Sequence, residues 1–262
     1  MAPMVFVGID LAWQADRNPS GVAVLEGDAS GARLVALHAP VQPLADVLRA
    51  VDGATPGPAF VAADAPLVIV NERGARDCER ALGRRYAARH AACHPSNLTL
   101  YPDAAGVRLG AHLAMRGFRH AVPLARPLSR GRVMMEVYTH AALVALLGLP
   151  RSLRYKKGPV AERVQGLRAL QQSLAVLSEA EAPLVRTPLL DDALRADPAL
   201  ARGRARKALE DALDAVVCAY VAYHVWRWGA ERSEVFGSAS AGYIVNPRPP
   251  GGGRDARGRA EG

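Results

Sequence analysis

The segment Val5-Phe6-Val7-Gly8-Ile9-Asp10 constrains this chain more than any other: an apolar run that ends in a carboxylate. Such a run reads as a buried strand. A charge at its end is costly unless a cation or a metal meets it. A strand-end Asp that only caps a turn is the plainer alternative. Two further apolar stretches carry acids where burial predicts none, Ala59-Phe60-Val61-Ala62-Ala63-Asp64 and Glu210-Asp211-Ala212-Leu213-Asp214-Ala215-Val216-Val217. What the chain can do depends on whether these acids meet.

Beyond Asp10, residues 14–20 read as a turn. Residues 21–26 and 32–38 then read as strands around the turn 27–31, so the first three strands make an antiparallel meander. Leu44, Val47, Leu48 and Val51 have helical spacing, with Pro43 suited to the first turn. Residues 53–58 break that helix. Residues 59–63 are apolar throughout, as befits a parallel strand covered on both faces. Three meander strands, a helix and a buried strand returning beside the first make the opening of a ribonuclease H-like α/β domain, whose mixed sheet continues the meander with parallel strands. There the first strand is central and the fourth lies parallel to it. Asp10 and Asp64 become neighbours at C-terminal strand ends, where open α/β sheets place their ligands.

The charge-dense segment 71–80 continues as a basic helix towards His90. Residues 93–125, with scattered Gly and Pro, read as an insertion of short helices overhanging the site. Arg132-Val133-Met134-Met135-Glu136-Val137-Tyr138 is a further strand with an acid buried in it, and Thr139 is placed to cap a helix over 140–147. Tyr155-Lys156-Lys157-Gly158 forms a basic turn into a helix over 160–177. A helical connector follows over 183–200, the longest helix over 206–228, and a short closing strand at Gly242-Tyr243-Ile244-Val245. Residues 1–247 therefore form one domain with its insertion near 93–125, and the Pro-, Gly- and Arg-rich 248–262 is expected to be a disordered tail.

No apolar run reaches the roughly 18–20 residues that span a bilayer. The start of the chain shows neither a basic leader region nor a cleavage site. The expectation is a cytoplasmic protein with no membrane partner, and nothing points to a protein partner. Cys78, Cys93 and Cys218 include no CxxC pair, which argues against a disulfide framework; Cys78 and Cys218 read as core residues. His90, Cys93 and His94 suggest a metal clip, but no second cluster at zinc-like spacing accompanies them. The net charge of +8 favours a polyanionic partner. Only Lys156, Lys157 and Lys207 of the 33 basic residues are lysine, a skew that a GC-rich genome also produces, so the charge permits nucleic acid without requiring it.

On the last helix Lys207, Asp211, Asp214 and Cys218 fall at i, i+4, i+7 and i+11 and share one face. Asp211 reads as an ion-pair partner of Lys207 or as a ligand. Asp10, Asp64, Asp211 and Asp214, drawn from two strands and a helix, are the set a two-metal nuclease uses. Two Mg²⁺ or Mn²⁺ ions about 3.5–4 Å apart grip a phosphate and activate a water, and hard cations want oxygen ligands. Asp10, on the central strand, is the natural bridge. Glu136 is a further catalytic ligand or an acid that neutralises Arg76 or Arg80. Arg73, Arg76, Arg80, Lys156 and Lys157 are candidates to hold a phosphate backbone, against the plainer reading of each as a solvated surface charge.

These residues also carry a family resemblance. Val7-Gly8-Ile9-Asp10, Ala63-Asp64-Ala65-Pro66-Leu67, Gly74-x-Arg76-x-Cys78-Glu79-Arg80, Glu136-Val137-Tyr138, Tyr155-Lys156-Lys157-Gly158 and Lys207-x-x-Glu210-Asp211-Ala212-Leu213-Asp214-Ala215 together resemble the predicted ribonuclease H-like nucleases gathered as domain of unknown function 429, from about residue 5 to 247. The resemblance implies a ribonuclease H-like fold with Asp10, Asp64, Asp211 and Asp214 at its acidic centre. Where members often have a proline after the Glu136 strand, this chain has Thr139-His140. Two rivals share such a core: a nucleotide-binding relative of actin and sugar kinases, and a non-catalytic nucleic-acid-binding module. The first needs a Gly-rich phosphate turn beside the first Asp, where this chain has Leu11-Ala12-Trp13.

Overall fold

A computed structural model describes residues 3–249. The expected tail lies outside the described residues from position 250 onward. The chain opens with β1 (Met4–Asp10), β2 (Ser20–Asp28) and β3 (Gly31–Val41), then α1 (Leu44–Ala54) and β4 (Ala59–Ala63). Next come α2 (Asp77–Tyr86), α3 (Ala105–Met115), β5 (Arg119–His120), β6 (Arg132–Glu136), α4 (Thr139–Leu147) and α5 (Val160–Val176). The last third holds β7 (Leu184–Val185), α6 (Pro188–Arg195), α7 (Arg204–Trp228), β8 (Ser233–Ser238) and β9 (Gly242–Pro247). Among the described residues no helix is long and apolar enough to cross a membrane.

Seven strands form a mixed sheet in the order β5-β6-β4-β1-β2-β3-β7. The β1–β2 and β2–β3 pairs are antiparallel, whereas β4 runs parallel to β1 and β6 parallel to β4. The central strand is buried on both faces because its side chains alternate between two cores. Val7 and Ile9 pack with Val61, Ala63 and Met134 against α1 and α3. Met4 and Phe6 pack with Phe60, Ala62 and Met135 against α7 and α5.

The α7 helix lies on the sheet at backbone distance. A Cβ on Gly8 of β1 would stand 2.1 Å from Ala215 O and Ala219 N, and one on Gly21 of β2 would stand 2.2 Å from Asp211 O. Only glycine admits that approach, and it brings the first acids of α7 down to the end of β1.

Three expectations need correction. The segment 93–125 is not simply an overhang, because α3 buries Leu109 and Leu113 in the α1-side core and β5 extends the sheet beside β6. Its helix pattern was masked by Gly106 and Gly110, which let α3 seat against the backbone of Pro66 and Leu67. Residues 242–247 do not close the main sheet; they pair with β8 in a separate two-stranded ribbon. Thr139 does not cap α4, since its hydroxyl donates to Asp64 instead.

Candidate functional site

Strand alternation decides which acids can meet. Asp10 ends β1 with the parity of Phe6, and Asp64 follows β4 with the parity of Ala62, so both face the α7 side. The ladder continues past β4, with the Asp64 N–H donating to Ile9 O at 2.9 Å. Glu136 is in register with Ala63 and Ile9, so it points to the opposite face. There it is buried against Arg76: Nη1 donates to Oε2 at 2.9 Å and Nη2 to Oε1 at 2.5 Å.

That register corrects two readings. Glu136 is the acid that neutralises Arg76 and lies apart from the cluster of Asp10 and Asp64. Arg76 is not free to hold a phosphate, since Nε donates to Glu79 at 2.9 Å and Nη1 also donates to Val68 O at 2.9 Å. Arg80 is exposed and paired with Asp77, and Arg73 is exposed.

Asp10, Asp64 and Asp211 line a cavity of about 760 Å³ that also reaches Arg76, Glu79 and Glu136. Asp211 presents Oδ1 to Lys207 at 2.5 Å, while its Oδ2 is buried with no hydrogen-bond partner. The ion-pair and cavity-facing readings of Asp211 therefore coexist, one on each oxygen. Asp64 accepts from Thr139 Oγ1 at 2.7 Å. Asp214, fully buried, does not line the cavity; Tyr155 donates its hydroxyl proton to Oδ1 at 2.8 Å, and Lys156 Nζ stands 2.8 Å from Oδ2. The expectation of Asp214 as a metal ligand meets a lysine instead: Oδ2 is ion-paired with Lys156, though without a hydrogen bond, and the residue does not line the cavity.

Lys156 is the largest departure from expectation. Rather than facing a phosphate backbone, its ammonium sits 3.7 Å from Asp10 Oδ1 and 4.0 Å from Asp64 Oδ2 as well as against Asp214. Lys157, the next residue, is exposed and donates to His94 Nε2 at 2.9 Å. One turn therefore sends one lysine inward and the other to the rim. Tyr155, Thr139 and Lys207 complete the surroundings. Helical spacing had placed Lys207 beside Asp211, whereas the signal of Tyr155 and Thr139 in the sequence was faint, because a lone hydroxyl beside a helix start or a basic turn has many ordinary uses.

The electrostatics share one cause: five carboxylates, with Glu210 the fifth, stand against two lysines. Burial, then the charge of Asp10, lifts Asp211 to about 8 despite Lys207. Burial lifts Asp214 to about 7 against the pull of Lys156. Burial and Asp10 raise Asp64 as well, against Lys156. Burial alone would lower Lys156, but Asp10 and Asp214 hold it well above its ordinary value. Nearby His140 is pushed down to about 3, first by burial and then by Lys156, so it is neutral.

This donor set suits a hard divalent cation: all-oxygen, negatively overcharged, and with two buried carboxylate oxygens, Asp211 Oδ2 and Asp214 Oδ2, lacking a hydrogen-bond donor. Among the described residues no group of three His, Cys, Asp or Glu side chains stands ready-made around one point. The point between Asp10, Asp64 and Asp214 is taken by the Lys156 ammonium. The cavity lining adds Trp13 and Tyr101, whose rings meet edge to face with centroids 4.1 Å apart.

A family described as Protein of unknown function (DUF429) has a model that matches residues 8–237. No curated protein and no solved structure matches the chain.

Proposed function

The chain belongs to this family of unknown function, and from that premise we propose that it is a divalent-cation-dependent nuclease on a ribonuclease H-like fold. The observation that carries the reading is the meeting of Asp10, Asp64 and Asp211 at one cavity wall, at the C-terminal ends of parallel β1 and β4 and under α7. The sheet order, with an antiparallel β1–β2–β3 meander and β4 and β6 added parallel, supports the fold assignment. Ligand crevices of open α/β sheets lie at such strand ends.

Asp10, Asp64 and Asp211 would hold Mg²⁺ or Mn²⁺. When bound, the ion makes a water nucleophilic and offsets charge on the phosphate and the leaving oxygen. The chain's own groups set the stage. Thr139 fixes Asp64, Lys207 fixes Asp211, and Asp214 with Tyr155 anchors Lys156 beside the reacting phosphate. Trp13 and Tyr101 offer ring faces to unstacked bases. Lys157 and Arg154 at the rim meet backbone phosphates. A mouth of this kind favours a single strand or a frayed end over an intact duplex.

The test is a panel of labelled single- and double-stranded DNA and RNA, with Mg²⁺ or Mn²⁺, against wild type and Asp10→Asn. Wild type should cleave at least one substrate, and Asp10→Asn should cut turnover by roughly 10²- to 10³-fold or more while binding is retained. Metal uptake and nucleic-acid binding without cleavage of any substrate would leave a binding module in place of an enzyme.

A further inference from the structure

Two-ion phosphodiester chemistry requires oxygen donors for two ions about 3.5–4 Å apart. This site has donors for one. Asp214, a residue that could serve a second ion, has one oxygen on the Tyr155 hydroxyl and the other 2.8 Å from Lys156 Nζ. The same ammonium lies 3.7 Å from Asp10 and 4.0 Å from Asp64, in the gap where an ion shared by these two strand ends would sit. Lys156 is no passing surface charge. Its side chain is only 27% exposed, it extends from a turn whose Tyr155 is fully buried, and its main carboxylate partner is fully buried too. On the other side of Asp10 one carboxylate oxygen has no cation against it. Asp211 is 1% exposed, it lines the cavity, and its Oδ2 has no hydrogen-bond donor. At a cavity wall such a buried oxygen is costly to ionise unless a bound cation offsets its charge.

We propose that this site takes a single divalent cation on the Asp10–Asp211 side, and that Lys156 is a built-in cation occupying the place of a second. The inference rests on the reading of these acids as a cation site, but it makes a separate claim about number. Lys156 in this role is a positioning and charge-balancing residue. It holds Asp10 and Asp64 in line and supplies one positive charge beside the phosphate, without the ligand exchange that a second ion allows.

The experiment is metal uptake by the full chain, independent of cleavage. Titration calorimetry with Mn²⁺ should give one site per chain for wild type and for Lys156→Arg. Lys156→Ala should take up two, because the gap between Asp10, Asp64 and Asp214 is then open to an ion. Electron paramagnetic resonance of the Mn²⁺-loaded wild type should show an isolated ion, with the spin-coupled signal of a close pair only in Lys156→Ala. The wild-type spectrum stands as a test even if Lys156→Ala fails to fold. Two coupled ions in wild type would overturn the proposal and leave the nuclease reading standing. One ion in a folded Lys156→Ala would overturn it as well. No Mn²⁺ uptake by any variant would overturn both.

Discussion

Two buried charge clusters border one cavity at the ends of β1, β4 and β6, with Glu136 and Asp10 on strand positions of opposite parity. The Arg76–Glu79–Glu136 cluster is saturated. Both oxygens of Glu136 accept from Arg76, the Leu67 N–H adds a third bond at 3.1 Å, and Glu79 accepts from the Arg76 and Ser96 backbone N–H groups at 2.8 and 3.1 Å. It also ties the start of α2 to β6, with Glu79 at the third helical position closing back on Arg76. The cluster around Asp10 is unsaturated: Asp211 Oδ2 and Asp214 Oδ2 are buried without a hydrogen-bond donor, and Asp211 Oδ2 has no cation against it either. Both carry buried charge, yet only the second leaves something for a ligand to complete. Satisfaction, more than burial, separates a structural ion-pair network from a site.

The contrast breaks most sharply under Arg76→Met. Removing the guanidinium strands two buried glutamates, and a loss of about 3–5 kcal/mol of unfolding free energy is expected by urea denaturation. Asp10→Asn, which relieves crowding among acids, should leave stability unchanged or higher. Equal losses in the two variants would erase the distinction between the clusters.

A second effect, smaller and spread over pH, belongs to the unsaturated side. Asp211 near 8 and Asp214 near 7 keep protons in the folded chain that the unfolded chain, with ordinary carboxylates near 3.8, has already released. Their contribution is therefore complete below about pH 4 and is lost as pH rises towards 8. In chelator the melting temperature should fall across that window. Asp211→Asn should flatten the upper part of the fall, and saturating Mg²⁺ should reverse it, because a cation binds the ionised carboxylates. Glu136, lifted to about 7 by burial though Arg76 opposes it, contributes in the same direction and will persist in Asp211→Asn. A melting temperature indifferent to pH in chelator would count against the electrostatic picture of the site.

The smallest expected effect tests the rim. Lys157→Ala should weaken nucleic-acid binding about a few-fold and reduce the log–log salt slope by roughly one unit, with single-turnover cleavage unchanged. An unaltered slope would make Lys157 a solvated neighbour of His94 and move the phosphate path elsewhere on the cavity mouth.

Periodicity and strand chemistry made much of this molecule legible from its residues alone. The run into Asp10, the wholly apolar 59–63 stretch and the meander between them determine a sheet in which β1 and β4 are neighbours, and β1 and β4 fall where those patterns place them. The spacing of Lys207, Asp211 and Asp214 likewise fixed one helical face. Short elements escaped, since two residues of β5 or β7 carry no period to detect. What the sequence could not decide is how charges pair. Arg76 and Lys156 are both basic residues in charged, loop-rich stretches, and nothing local tells a phosphate contact from an internal counter-ion. Register settles Arg76, because Glu136 shares the parity of Ile9 and Ala63 and turns away from Asp10. The close seating of α7 on Gly8 and Gly21 settles Lys156. It sets Asp214 beneath the β1 end, and Asp214, with Asp10 and Asp64 beside it, draws the ammonium from a turn 58 residues earlier into the centre of the acids. Backbone pattern is a local property of the chain, whereas the partner of a buried charge depends on which distant loops the packed sheet brings within a few ångströms.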